Sequence, residues 1–144
     1  MTEMTQRVYA GMVVKDTKTA LALYEKAFGA RLGDVMEHDG AVLHASFELQ
    51  GNTVFINDDL EMMPRRMHDG VQSVGFYVYF DDVDAAHKQA VDAGCEGLNE
   101  PSDMFWGDRT SVVKDPFGYV WTLAQQVRQM TPEEMEEARK AEGW

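Results

Sequence analysis

Two segments of this chain, Asp16 to Gly29 and Asp81 to Gly94, have the same length and the same plan. Each opens on an acidic cap, carries apolar residues at helical spacing and stops at a glycine. The correspondence extends to a strand near the end of each half, where Gly51-Asn52-Thr53-Val54-Phe55 matches Gly118-Tyr119-Val120-Trp121-Thr122 in position. A repeat with a period of about 65 residues restricts the chain to folds built from two like modules.

Each module reads β-α-β-β-β. In the first, Val8 to Val14 is apolar and β-branched at several positions, as a strand should be. Asp16 or Thr17 caps a helix whose apolar side is Ala20, Leu23, Tyr24, Ala27 and Phe28. Strands follow at Arg31 to Glu37, Val42 to Leu49 and Thr53 to Asn57, with Asp39-Gly40 and Gly51-Asn52 as the hairpin turns. Beyond an aperiodic connector, Val74 to Phe80 forms a strand of alternating aromatics and Asp81 to Ala93 a helix. Thr131-Pro132-Glu133-Glu134 has the form of a capping box and starts a separate, charge-rich helix. The expected architecture is α+β: a single domain over 1–144, with modules at 6–58 and 71–126 forming a curved mixed sheet, a connector at 59–70 and a helical tail at 131–142.

The stretch Asp103 to Leu123 concentrates the chain's unusual side chains. It reads as an aromatic loop (Met104, Phe105, Trp106), a strand from Arg109 to Val113, a turn at Asp115-Pro116-Phe117-Gly118 and a strand from Tyr119 to Ala124. Aromatic and charged groups on one hairpin make it a candidate ligand-facing surface. Arg109 either pairs with Asp108 to hold the hairpin or orients an anionic group of a ligand. Tyr77 and Tyr79 belong either to that surface or to the core or an interface. His44 lies within a strand, whereas His38, His68 and His87 are expected in solvent.

At 144 residues, with 44% hydrophobic composition, the chain has enough material for one core and no apolar run long enough to span a bilayer. The N-terminus lacks a secretory pattern, and a single cysteine, Cys95, suits a reducing compartment, so a cytoplasmic location is expected. A net charge of −12 argues against nucleic acid as a partner. It suits either a cationic ligand or simple solubility.

The pieces LALYEKAFGA, LHASFEL and FWGDRTSVVKDPFGYVWTLA resemble the vicinal oxygen chelate superfamily, also called the glyoxalase/bleomycin-resistance/dioxygenase family, and within it the bleomycin-resistance-like and phosphonate-operon-type branch. The resemblance implies a small-molecule ligand and a homodimer. In the family's enzymes each module gives a His or Gln from its first strand and a Glu from its last, around one divalent metal. Carried over, those positions fall on Tyr9, Gly75, Phe55 and Thr122, none of them a normal ligand. The expectation is therefore a metal-independent binder without a cofactor, its pocket drawn from Tyr9, His44, Phe55, Tyr77, Trp106, Arg109, Trp121 and Thr122. The alternative is a divalent-metal lyase, isomerase or dioxygenase, which requires any two of His44, Glu48, Asn57 and Tyr9 to converge on one point inside the sheet.

Overall fold

The structure, a computed structural model, describes residues 5–144. The chain divides into two compact units that meet at Ser73 and Val74. Each builds a mixed four-stranded sheet, and with three helices among the described residues the class is α+β.

The first unit contains β1 (Gly11–Val14), α1 (Thr17–Phe28), β2 (Arg31–His38), β3 (Ala41–Leu49) and β4 (Asn52–Asp58). The sheet order is β1-β4-β3-β2, with β1 parallel to β4 and the other pairs antiparallel. Asp16 is the cap of α1, its carboxylate accepting from the Thr19 N–H at 3.2 Å. Gly29 ends the helix at φ 73°, a conformation that glycine adopts without a Cβ penalty. The buried face is Thr17, Ala20, Leu21, Tyr24, Ala27 and Phe28, so Leu21 takes the place expected of Leu23. Leu21 lies four residues after the buried Thr17 and one turn from Tyr24, which brings it under the helix. Tyr24 packs on Phe47, with ring centroids 5.3 Å apart. Burial of each large side chain of this kind stabilises the unit by roughly 1.5–3 kcal/mol.

Two boundaries in this unit differ from the sequence reading. The ladder of β1 starts at Gly11 rather than Val8, because the Gln6 side chain replaces a backbone partner. Its carbonyl accepts from the Thr53 N–H at 2.8 Å and its amide donates to the Thr53 carbonyl at 2.9 Å. The second hairpin turns at Gln50-Gly51, with φ of 50° and 83°, not at Gly51-Asn52. Asn52 is already paired with Leu49 in the ladder. The first hairpin turns at Asp39-Gly40 as expected, with φ of 52° and 80°.

The second unit contains β5 (Phe76–Tyr79), α2 (Val83–Ala93), β6 (Glu96–Asp103), β7 (Asp108–Lys114), β8 (Val120–Gln126) and α3 (Pro132–Glu142). Its order, β5-β8-β7-β6, repeats that of the first unit strand for strand. Asp82 caps α2 by accepting from the Ala85 N–H at 3.1 Å. The Asp115 turn is tied from inside: one carboxylate oxygen accepts from Phe117 N–H (2.9 Å) and Tyr119 N–H (3.1 Å), the other from Trp121 Nε1 (3.0 Å). At α3 both halves of the capping box are formed by Thr131 and Glu134, and none of the helix's residues is buried. No helix among the described residues is long and apolar enough to cross a membrane.

Candidate functional site

In the first unit, strand alternation sends Met12, Val14, Ala45, Phe47 and Ile56 into the core with α1. The intervening residues share the opposite face of the sheet. Gly11 pairs in register with Phe55, and Phe55 with Ser46, so these three positions lie side by side. Tyr9 stacks on Phe55, with centroids 4.4 Å apart and rings 4° from parallel. His44 meets the same Phe55 ring edge-on at 4.8 Å. Three sequence-predicted site residues are thus brought together as one aromatic surface. Of the groups that a metal would need here, Glu48 is paired with Arg31 at 2.8 Å and Asn57 accepts from Arg65 at 3.0 Å.

In the second unit the corresponding face carries Tyr77, Tyr79 and Thr122, with Thr122 in register with Tyr77. Both tyrosine hydroxyls donate to the same oxygen of Asp108, Tyr77 at 2.6 Å and Tyr79 at 2.7 Å. Trp106 Nε1 donates to the Tyr77 hydroxyl at 3.1 Å. Asp108 is buried, while the two tyrosines are about half exposed, at 46% and 50%. Burial first, and then the bond to Asp108, push the Tyr77 phenol well above its usual range. For Tyr79 the bond to Asp108 comes first and burial second, in the same direction. Their protons are committed to the carboxylate, so the Tyr79 oxygen offers lone pairs rather than a donor. An open cleft of about 560 Å³ lies beside this network, lined by Tyr79, Phe80, Asp81, Gln125 and Gln126.

Three expectations are corrected here. Trp121 is fully buried, stacked on Phe76 at 4.5 Å and bonded to Asp115, so it is a core residue and not a ligand contact. Strand alternation turns it toward α2, while Thr122 faces the other way. Arg109 does not pair with Asp108. It forms a two-bond contact with Asp84 on α2 (2.9 and 3.0 Å) and a third bond with Asp103 (3.1 Å), which ties helix and hairpin together. His87 is buried, at 6% exposure, rather than solvated. It stands with Val83, Ala86 and Ala90 at i, i+3, i+4 and i+7 spacing, and that spacing was the available signal.

The family's metal positions test whether the residues present fit such an ion. Tyr9 and Phe55 fill their places with stacked rings, and Thr122 and Gly75 offer at most one weak oxygen. Among the described residues no three His, Cys, Asp or Glu side chains gather as a metal-holding group. This donor set does not fit a divalent metal.

Comparison with known proteins places these features in context. The sequence profile described as Glyoxalase/Bleomycin resistance protein/Dioxygenase superfamily matches residues 6–123. An uncharacterized protein of Mycobacterium bovis is 37% identical over 140 residues, covering 92% of this chain and 91% of its own. Among solved structures, TioX from Micromonospora sp. ML1 is similar at TM-score 0.67 and 23% identity, covering 88% of this chain and 100% of its own. A PhnB protein from Bacillus cereus is similar at TM-score 0.64 and 16% identity, with 83% and 99% covered.

Proposed function

Because the chain belongs to the glyoxalase/bleomycin resistance protein/dioxygenase superfamily, whose members bind small molecules, we propose that it is a metal-independent small-molecule-binding protein with an aromatic site. The Tyr9–Phe55 stack carries this reading. Two positions that would face a metal instead present large flat rings, with His44 at their edge. Such rings contribute contact area with little loss of conformational freedom, which suits a planar ligand. The second unit carries an aromatic face of its own, in which Tyr77 and Tyr79 donate to Asp108 and Trp106 donates to Tyr77. The similarity to the PhnB protein supports a bleomycin-resistance-like or phosphonate-operon-type placement within the superfamily. The chain is also read as a homodimer, for which a sedimentation mass equal to one 16.3 kDa chain is the contrary result.

The test is saturation-transfer NMR with 2-naphthamide, a neutral planar probe, in excess chelator. Transfer to the naphthyl protons that falls in Phe55→Ala supports the reading. Transfer that needs an added divalent metal, or none under any condition, contradicts it.

A further inference from the structure

Gly11, the first residue of β1, has no positive φ, and its missing side chain leaves room that a neighbour occupies. A Cβ built on Gly11 would stand 2.7 Å from Arg65 Nη1, 3.2 Å from Cζ and 3.4 Å from Nη2. The guanidinium of Arg65, reaching in from the segment after β4, lies across the spot where any other residue would put its side chain.

The same guanidinium is fixed from one side by a buried neutral partner. Arg65 Nη2 donates to Asn57 Oδ1 at 3.0 Å, and Asn57, 6% exposed, donates its own amide to the Asp58 carbonyl at 2.8 Å, which sets its orientation. Three acids of this unit are engaged elsewhere. Asp58 accepts from the backbone N–H groups of Thr17 and Val42, Asp59 pairs with Arg66, and Glu48 with Arg31. In a chain with a net charge of −12, Arg65 forms no ion pair with any described residue. Gly11 is in register with Phe55, and Asn57 follows two residues along the same strand. The guanidinium therefore lies on the face of the Tyr9–Phe55 stack, beside it.

We propose that Arg65, seated on Gly11 and steadied by Asn57, is an oxyanion-binding subsite for a small molecule whose planar ring packs on Tyr9 and Phe55. A carboxylate, phosphate or phosphonate matches the planar fork through two parallel N–H···O bonds. The subsite rests on the reading that this face takes an aromatic ligand.

Calorimetric titration of the full chain with 2-naphthoate, 2-naphthylphosphonate and neutral 2-naphthamide tests it. In the wild type at least one anionic probe binds ten-fold or more tighter than the amide. Arg65→Gln removes that preference by weakening the anionic probes far more than the amide, and Arg65→Lys restores only part of it. The stronger of the two anions identifies the head group. Equal affinity for all three probes, or a preference that survives Arg65→Gln, overturns the subsite alone. Binding of none of the three overturns the aromatic-face reading and the subsite with it.

Discussion

The rings of Tyr9 and Phe55 lie 4.4 Å apart and 4° from parallel, on two positions that the resemblance assigned to metal ligands. The pair bridges the start of the first module and its last strand, so it packs the sheet as well as lining its face. Stacked aromatic pairs contribute about 0.5–1.5 kcal/mol beyond their burial. Phe55 is only half-buried, and Phe55→Ala should lower stability by about 1–3 kcal/mol in denaturant melts. The same change should weaken 2-naphthamide at least several-fold. Unchanged affinity in a folded variant would separate the stack from the site.

Asp108 holds two phenolic protons on one oxygen. In Asp108→Asn the charge is lost while an acceptor remains, so the pKa values of Tyr77 and Tyr79 should both fall toward the ordinary tyrosine range. Ultraviolet titration of phenolate absorbance follows this directly. The variant should lose about 1.5–3 kcal/mol, the usual scale for hydrogen bonds to a charged group. Alkaline titration curves identical to the wild type would contradict the network.

The wild type should be sensitive to base. Burial, and then the charge of Asp115, push the Cys95 thiol up to about 12. Tyr77 and Tyr79 shift in the same direction. All three stay protonated in the folded chain while the unfolded chain ionises them, so the folded state holds more protons. Their contribution is fully present below pH ~8.5 and is lost as pH rises through the folded values. Melting temperature should therefore fall steadily above that point. Cys95 should also resist thiol reagents at pH 8 until denaturant is added, and rapid native labelling would contradict its burial.

Arg109→Ala should leave 2-naphthamide affinity unchanged, because its guanidinium is engaged by Asp84 and Asp103. The Arg109 bonds hold the Asp84 carboxyl below its usual range. That contribution is present above the unfolded carboxylate pKa and is lost as pH falls through the folded one. Stability of the variant should thus be less acid-sensitive than that of the wild type. A loss of affinity in this variant would return Arg109 to the ligand site.

What the sequence disclosed followed periodicity and turn chemistry. The twin helices, the Asp39-Gly40 and Asp115-Pro116 turns and the capping box at Thr131 each have a local cause, and each formed. What remained hidden depended on partners distant in sequence. Trp121 and Thr122 differ only in which face of β8 they occupy, and a shift of one residue exchanges core and site. Arg109 found acids on α2 and β6 rather than its neighbour, and His87 was read by polarity when its spacing placed it under the helix. Arg65 sat in a segment without period, and its seat on Gly11 at the start of β1 is a contact between residues far apart in sequence.

Metal-free binding of a small molecule on the Tyr9–Phe55 face is tested first by divalent-metal content, from elemental analysis of protein purified without chelator. Parallel titrations of 2-naphthamide, before and after dialysis and re-addition of nickel, zinc, manganese and iron(II), complete it. No stoichiometric metal is expected, and an affinity that none of these treatments changes. Near one metal per chain, with probe binding lost on its removal and regained on its return, would overturn the metal-independent reading.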